Sequence, residues 1–348
     1  MIEIALAFQD KDGQYAEHAG VVLASIFQHT SSPIHVHILH DISLTEDNKR
    51  KLDKLTTKHH HTISYYSITL PDDMLQVLAN INSISVWTQA CMYRLLLPAL
   101  IPVDKIIYLD CDVLVNMDIT DLWQVELGDK YLGAIWDQAI MEVAHIVSSK
   151  GLNPELYFNS GVILFSLNNI RQNSNWYVEM LNFLRTFPDV TMPDQDVLNA
   201  VFGGNYLPLD IRFNSFNMAI PDHDFNNKIV HFAGDKKCWN KDSPGSALYN
   251  QLLNLTPWRT FSTKLKRRKR KVSYVKRRFT GKSSSRKMKI VPMRISPISL
   301  SDLKLIRPIR RNKAILINTR EQNQRRITRK KTATFMPKLD PRVQISLK

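Results

Sequence analysis

The chain has 348 residues, 44% of them hydrophobic, which is enough for a large buried core in one or two domains. Its formal net charge of +15 is unevenly distributed, because residues 1–259 carry 18 Lys and Arg against 29 Asp and Glu, while residues 260–348 carry 29 against 3. No run of about 18 apolar residues occurs, which argues against a membrane-spanning helix.

Apolar, β-branched runs alternate with helical periodicity from residue 1 to about residue 255. Strands are predicted at 2–8, 34–39, 62–68, 105–109, 131–136, 161–165 and 229–232. Helices are predicted at 15–28, 44–58, 87–97, 175–187 and 194–202. This alternation predicts an α/β fold with a mostly parallel sheet, helices on both faces, and ligands bound at the carboxyl ends of the strands.

The composition changes abruptly after Trp258, with basic runs such as "KLKRRKRK" at 264–271 and "RRITRKK" at 325–331. A segment with that density of like charge cannot bury a hydrophobic core by itself. We therefore divide the chain into an α/β domain, residues 1–258, and a basic C-terminal tail, residues 259–348. The tail is expected to be flexible or to bind a membrane surface.

The run "KIIYLDCDVLV", residues 105–115, contains two aspartates one residue apart, Asp110 and Asp112, at the end of its first strand. Partly buried carboxylates at that distance repel each other, and one would hold a proton unless a cation lay between them. A bound metal ion is the simplest reason for the pair. Acidic pairs also occur at strand ends in turns and caps, so the motif becomes specific only through its companions.

A later apolar strand, in "IVHFAGDKKCW" at 229–239, ends on His231 and is followed by Gly234, Lys236 and Lys237. Two aspartates and a histidine supply oxygen and nitrogen ligands, which suit Mn²⁺ better than Mg²⁺, the alternative ion. Glycine lets the backbone approach a ligand closely, and the lysines are suited to meet a phosphate. Taken alone, the histidine also fits a hydrogen-bonded core residue and Lys237 a solvated surface lysine.

Four motifs, in this order, resemble glycosyltransferase family 8: "YLDCDVLV" (108–115), "YFNSGVILFSL" (157–167), "PDQDVLNAVF" (193–202) and "VHFAGDKKCW" (230–239). The opening "ALAFQDKDGQYAEHAGVVLASIF" also resembles the nucleotide-binding start of that family, which includes bacterial lipopolysaccharide galactosyl- and glucosyltransferases and, more distantly, glycogenin. The resemblance covers about residues 1–258. It implies a GT-A fold and a Mn²⁺-dependent hexosyltransferase that uses UDP-galactose or UDP-glucose and retains the anomeric configuration.

The resemblance also implies roles for single residues. It matches Asp110, Asp112 and His231 to the metal ligands, with Asp110 also near the ribose. It matches to the donor-binding positions Asp12, Gln14, Arg94, Asp137, Asn159, Gly234 and Lys237, and to the catalytic positions Gln195 and Asp194. Gln14 stands where the family usually has Asn, and one extra residue in "DKDGQY" leaves Asp10 as the alternative to Asp12.

The chemistry of these roles follows from general principles. Cleavage of a sugar–diphosphate bond leaves negative charge on the β-phosphate, which a divalent ion, Lys237 and Arg94 would stabilise. An oxygen near the oxocarbenium-like anomeric carbon also helps, as in retaining glycoside chemistry. Because the neutral amide of Gln195 is a poor nucleophile, we favour a front-face path in which the leaving phosphate assists deprotonation of the acceptor. Covalent catalysis by Asp194 is the alternative.

Several of these residues also fit structural roles. Asp194 can cap the amino end of a helix, Asn159 and Gly161 can form a turn before a strand, and Arg94 can be a buried ion-pair partner. Trp136 and Trp239 fit the core or a pocket wall better than a stacking platform.

Two other functions were weighed. A haloacid-dehalogenase-type phosphatase also has Asp-x-Asp after an apolar strand, but its later acidic motif requires Asp where this chain has Trp239. A nucleic-acid-binding protein would use the basic tail, yet the tail has only four aromatic residues and the rest of the chain is acidic.

The expected surroundings follow from charge and cysteine content. The tail's charge favours an anionic membrane surface, where a glycan, glycolipid or protein acceptor would be found, and nucleic acid is not expected. The three cysteines lack zinc-type spacing, and no basic leader with an apolar stretch and a cleavage site is visible. We therefore expect a cytoplasmic enzyme, peripheral on the inner face of the cell membrane.

Overall fold

The computed structural model describes residues 1–259, and within them it has ten strands and eleven α-helices. The strands are β1 (Ile2–Phe8), β2 (Ile34–His40), β3 (Thr62–Ser67), β4 (Lys105–Leu109), β5 (Val113–Asn116), β6 (Leu132–Trp136), β7 (Phe158–Ser166), β8 (Tyr206–Pro208), β9 (Ser215–Phe216) and β10 (Lys228–His231). The predicted basic tail, apart from Arg259, lies outside the described residues.

The α-helices connect these strands and flank them. They are α1 (Tyr15–His29), α2 (Glu46–Lys58), α3 (Asp72–Leu78), α4 (Ile84–Trp87), α5 (Leu97–Leu100), α6 (Thr120–Trp123), α7 (Ala144–Ser148), α8 (Leu167–Gln172), α9 (Trp176–Thr186), α10 (Pro193–Phe202) and α11 (Ser246–Leu253). None of the helices in residues 1–259 is both long and apolar enough to cross a membrane.

The main sheet has seven strands in the order β3-β2-β1-β4-β7-β6-β8. Four of its pairs are parallel, and β7 runs antiparallel to both of its neighbours, β4 and β6. The predicted α/β fold with a mostly parallel, mixed sheet is therefore confirmed. Because β7 runs in the reverse direction, its amino end lies beside the carboxyl ends of β4 and β6.

Both faces of the main sheet are covered by helices. Ile4 and Leu6 of β1 pack into a cluster with α1 and α2, whereas Ala5, between them, packs into a cluster with α9 and α10. Successive side chains of a strand point to opposite faces, so an apolar strand supplies both layers of core. This accounts for the nearly continuous apolar character of β1 and β4 in the sequence.

A second, three-stranded sheet in the order β5-β10-β9 was not predicted. Its strand β5 follows Asp112 directly, and β10 pairs antiparallel to it with His231 opposite Val113. Of its strands only β10 was predicted, at 229–232, because β5 and β9 have only four and two residues. The pairing brings two chain segments more than a hundred residues apart to one place.

The helix predicted at 87–97 is wrong in type. Residues Gln89–Leu96 form a 3₁₀ helix between the short helices α4 and α5. Thr88 has a φ of +66°, which ends α4, and Pro98 has no N–H to donate to the preceding turn. An α-helix therefore cannot run through this segment, although its apolar spacing looks helical.

Candidate active site

The candidate site lies where three strand ends meet. Because β7 is antiparallel to β4 and β6, its amino end adjoins the carboxyl ends of both neighbours. Asp110 follows β4 and its N–H donates to the Gly161 carbonyl oxygen at 2.8 Å, while Asp137 follows β6 and its N–H donates to the Tyr157 carbonyl oxygen at 2.9 Å. Asn159, near the start of β7, thus lies between the two aspartates.

The pairing of β5 with β10 brings His231 to the aspartate pair. The Phe232 N–H donates to the Asp112 carbonyl oxygen at 3.0 Å, and His231 Nε2 lies 3.3 Å from Asp112 Oδ1. Ligand atoms of Asp110, Asp112 and His231 all lie within 4.8 Å of one another. The three predicted metal ligands therefore form one cluster, which can hold a divalent ion.

A chain of hydrogen bonds sets the proton position on His231. Asn159 Nδ2 donates to Asp137 Oδ2 at 3.1 Å, so its Oδ1 is an acceptor and takes a hydrogen bond from Asn214 Nδ2 at 2.9 Å. Asn214 Oδ1 must then accept, and its partner is His231 Nδ1 at 3.0 Å. In the neutral imidazole the proton is consequently on Nδ1, and Nε2 turns a lone pair toward Asp112.

Asp112 Oδ1 is a buried acceptor without a hydrogen-bond partner among the described residues. His231 Nε2 is close, and when the imidazole is neutral both atoms present lone pairs, so that the pair needs a proton or a metal cation between them. One nitrogen and carboxylate oxygens form the donor set that a borderline divalent metal prefers. The residues present fit a metal ion.

Gly161 keeps the space for the histidine ring. A Cβ built on Gly161 would lie 2.2 Å from His231 Cε1 and 2.8 and 2.9 Å from the two ring nitrogens. No side chain larger than hydrogen fits there while the ring stays in place. The glycine in the "YFNSG" motif is therefore required by the position of His231.

The two aspartates have different electrostatic environments. Burial raises the pKa of Asp110, the Arg94 guanidinium opposes this, and repulsion from Asp112 adds to it. Burial would also raise the pKa of Asp112, but the positive charges of a protonated His231 and of Lys237 beside it lower the pKa below its ordinary value. Asp112 is thus kept ionised, as a metal ligand must be.

Arg94 is buried and lies between two carboxylates of the site. Its Nη2 donates to Asp110 Oδ1 at 2.7 Å, its Nε is 3.3 Å from Asp194 Oδ2, and its Nη1 donates to the Ser160 carbonyl oxygen at 2.7 Å. Its guanidinium also lies over the ring of Tyr108, 4.3 Å from the centroid. These contacts fix the orientation of both carboxylates.

The first turn of α10 contributes the next two predicted residues. Gln195 Oε1 accepts from Asn159 Nδ2 at 3.0 Å and from the Ser160 N–H at 2.9 Å, while its Nε2 donates to Asp137 Oδ2 at 3.0 Å. Asp194 also lines the cleft, whereas Asp196 turns away and accepts from the Tyr157 hydroxyl. Asp196 also accepts from the Met192 N–H at 3.3 Å, so it caps the amino end of α10 while Asp194 faces the cleft.

The side chains of Lys236 and Lys237 point to different places, although the sequence suggested that both meet a phosphate. Lys237 Nζ donates to Asp112 Oδ2 at 2.7 Å, whereas Lys236 Nζ pairs with Asp242 at 3.1 Å on the exposed surface. The prediction for Lys236 is wrong because consecutive residues after β10 point in different directions. Gly234 lines the cleft with Lys237.

The loop after β1 decides between the two aspartates near the amino terminus. Asp10 is 2% exposed and accepts from the Ala16 N–H and from Asn48 Nδ2, so it holds the start of α1. Asp12 is exposed, and its Oδ1 accepts from the N–H of Gln14, which is exposed as well. Of the residues predicted to contact the nucleotide, Asp12 and Gln14 are therefore accessible to a ligand, whereas Asp10 is buried.

Tyr15 was missed by the sequence analysis. Its side chain is 43% exposed, and its ring packs edge-on against His18 and Trp239. Burial of part of the ring, together with the nearby Cys111 and Asp112, raises the pKa of its hydroxyl. The signal in the sequence was its place two residues after a glycine loop, at the start of a helix.

Most of the predicted site residues line one cleft of about 280 Å³, and Asp12, Gln14 and Tyr15 are not among its lining residues. Its wall carries Asp110, Asp112, Asp137 and Asp194 with His231, Lys237, Asn159 and Gln195. Apolar side chains also line it, namely Trp87, Ile140, Val143, Met192, Phe216 and Met218. A cleft with both charged and apolar walls can bind a ligand that has charged and apolar parts.

Comparisons with known proteins agree with this geometry. Residues 4–243 match the model of "Glycosyl transferase family 8". General stress protein A of Bacillus subtilis is 27% identical over 277 residues, 72% of this chain and 93% of that protein. The lipopolysaccharide glucosyltransferase WaaO of Escherichia coli is 25% identical over 272 residues, 71% of this chain and 77% of that protein.

A solved structure of an active-site mutant of LgtC is similar in fold. Its TM-score is 0.64 with 25% identity, and the match covers 76% of this chain and 99% of that one. The match thus spans nearly the whole of that LgtC chain. The family match decides against the haloacid-dehalogenase-type phosphatase.

Proposed function

The chain belongs to glycosyltransferase family 8, and from this premise we propose that it transfers galactose or glucose from a UDP-sugar to a cell-envelope or glycolipid acceptor. The proposed enzyme retains the anomeric configuration and depends on Mn²⁺. The name of the Escherichia coli relative, a lipopolysaccharide glucosyltransferase, supports an envelope acceptor.

One observation carries the proposal. When the imidazole is neutral, His231 Nε2 and Asp112 Oδ1 present lone pairs to each other at 3.3 Å, inside a site whose hydrogen bonds fix the imidazole proton on the other nitrogen. Asp110, Asp112 and His231 would hold the ion, and when bound it would supply positive charge beside the leaving diphosphate. The mixed nitrogen and oxygen donors favour Mn²⁺ over Mg²⁺.

Lys237 supplies mobile positive charge at the same place. Among residues 1–259 its Nζ bonds Asp112 Oδ2 and the Phe232 carbonyl oxygen, and its side chain is 28% exposed. It can therefore turn to a β-phosphate oxygen when the donor binds. Arg94 contributes a further positive charge to the cleft, which it lines while it pairs with Asp110 and Asp194.

The contacts of α10 support a front-face path. Asp194 is ion-paired to Arg94 and accepts from Ser160 Oγ at 3.2 Å, which lowers its nucleophilicity. The Gln195 amide oxygen already accepts two hydrogen bonds. We therefore assign Gln195 and Asp194 to stabilising the sugar as positive charge develops, and Asp137 and Asn159 to binding its hydroxyls.

Nucleotide binding is proposed for the loop between β1 and α1. Asp12 and Gln14 offer exposed polar groups, and the ring of Tyr15 offers an exposed face on which a base can stack. Gly234, which carries no side chain, lets the chain after β10 approach the diphosphate.

The basic residues of the tail support a place at an anionic membrane. Residues 260–348 carry a net charge of +26, and each basic residue near such a surface contributes about 1 kcal/mol. Salt-sensitive pelleting of the full chain with anionic vesicles, but not neutral ones, is the expected result. Absence of pelleting with anionic vesicles at low salt would remove this part of the proposal.

The function is tested by UDP release across a panel of nucleotide sugars, with and without Mn²⁺. We expect release from UDP-galactose or UDP-glucose that needs the ion and increases with an envelope glycolipid acceptor. Equal release of UDP from every nucleotide sugar, or UDP release that chelation of the metal does not diminish, would contradict the proposal.

A further inference from the structure

A second group of metal-ligating side chains lies on strands β1 and β2, outside the candidate active site. Glu3 on β1 is the register partner of His35 on β2, and His37 lies two residues further along the same face. Glu3 Oε2 is 2.8 Å from His37 Nε2 and 3.3 Å from His35 Nδ1. One carboxylate oxygen thus faces one nitrogen of each imidazole.

The far side of each imidazole is held by a hydroxyl group. His37 Nδ1 is 3.0 Å from the Tyr66 hydroxyl, and His35 Nε2 is 2.9 Å from Ser64 Oγ. Metal-bound histidines characteristically donate their other ring N–H to an outer acceptor, which fixes the ring and directs the free lone pair at the ion, and each of these hydroxyl oxygens can accept that N–H. Both rings therefore have the outer hydrogen bonds of a metal site.

The group is separate from the active site. Glu3 lies near the start of β1, whose Ile4 and Ala5 pair with Ile107 and Tyr108 of β4, so Asp110 follows at the opposite end of the sheet. A strand rises about 3.3 Å per residue, which places the two groups roughly 13 Å apart along the strands. No single ion can serve both.

We propose that Glu3, His35 and His37 form a second metal site, which binds a divalent transition-metal ion, Zn²⁺ by preference, and ties β1 to β2. Two histidines and one carboxylate with a solvent molecule in the fourth position are an established tetrahedral zinc set. The side chains of His35 and Glu3 are 23% and 13% exposed, so an ion and a water molecule can reach the site. This proposal does not depend on the proposed transferase activity.

The geometry needs only a small adjustment. Ligand atoms of a tetrahedral zinc ion, each about 2.1 Å from the metal, are about 3.4 Å apart. The oxygen of Glu3 is already 3.3 Å from His35, and all three ligand atoms lie within 4.8 Å of one another. Movement of the Glu3 oxygen away from His37 by under an ångström brings their 2.8 Å separation to about 3.4 Å, and the two imidazole nitrogens, within 4.8 Å of each other, close on the ion by small rotations of their rings.

The test uses the full chain with Asp112→Asn, which removes the candidate catalytic ion site. Titration with Zn²⁺, followed by calorimetry, is expected to show one saturable site, and Co²⁺ in its place is expected to give the visible absorption of tetrahedral cobalt. Addition of His35→Gln or of Glu3→Gln is expected to weaken binding by more than the about 10–100-fold cost of losing an outer hydrogen-bond partner. His29→Gln, which changes an exposed histidine, is the matched control and is expected to leave Zn²⁺ affinity unchanged.

A second measurement does not rely on the variants folding. An anomalous difference map at the zinc edge, from crystals of the unsubstituted chain soaked in Zn²⁺, is expected to show a peak between the three side chains. Zn²⁺ binding that is equal in the His35→Gln, Glu3→Gln and His29→Gln chains, or a map without that peak, would overturn the proposal.

Discussion

Gly161→Ala is expected to weaken metal binding strongly while it leaves the fold in place. The new Cβ would lie 2.2 Å from His231 Cε1, and ordinary contact begins at 3.4 Å, so the ring must retreat by about 1.2 Å. Metal–ligand distances tolerate only about 0.2 Å of change. His231 then ceases to be a ligand, and Mn²⁺ affinity should fall by more than the about 100-fold, or about 2.7 kcal/mol, that the loss of an outer hydrogen-bond partner costs at most.

The substitution causes no strain in the backbone at residue 161. Gly161 lies within β7 and its φ is outside the left-handed region, so alanine fits the strand conformation. Gly204→Ala is the matched control, since a Cβ there meets no atom within 4 Å. The assay is calorimetric titration of Mn²⁺ in the presence of UDP, with thermal unfolding of each chain alongside. Wild-type Mn²⁺ affinity in Gly161→Ala would refute the reasoning that the glycine exists to accommodate the histidine.

Three further predictions follow from the same contacts. Lys237→Met should lower the rate of sugar transfer by about 100-fold or more, as loss of a charge-stabilising donor does, whereas Lys236→Met should leave the rate unchanged in the same UDP-release assay. Asn214→Leu removes the acceptor for His231 Nδ1 and should weaken Mn²⁺ about 10–100-fold by calorimetry; unchanged affinity would show that the amide does not set the tautomer. Tyr15→Ala should weaken the free energy of UDP binding by about 1 kcal/mol or more, measured as a higher Kd. An unaltered Kd would exclude base stacking.

Much of the fold was predictable because its signals are local. The alternation of apolar strands and amphipathic helices identified β1, β4, α1 and α10, and the site was expected where β4 ends. The position of Asp110 and Asp112 therefore followed from one short segment. The error at 87–97 arose because apolar spacing does not register the positive φ of Thr88 or the missing N–H of Pro98.

The completed site was less predictable because it depends on long-range pairing. His231 was proposed as a ligand from its place at the end of an apolar strand and matched by the family resemblance, but only the pairing of β5 with β10 explains its 3.3 Å distance from Asp112. Asn214 belongs to no motif, yet it determines the imidazole tautomer. Lys236 and Lys237 are indistinguishable by composition, and the direction of each side chain after a strand separates them.

The central claim is that Asp110, Asp112 and His231 together bind one divalent ion. Measurement of Mn²⁺ binding to the Asp112→Asn chain tests it most directly. The UDP-dependent part of Mn²⁺ binding, followed by electron paramagnetic resonance, isolates this site from any other on the chain. We predict one such ion for the unsubstituted chain and none for Asp112→Asn, with the thermal unfolding of the variant still cooperative. UDP-dependent Mn²⁺ binding of undiminished affinity in a folded Asp112→Asn chain would contradict the account.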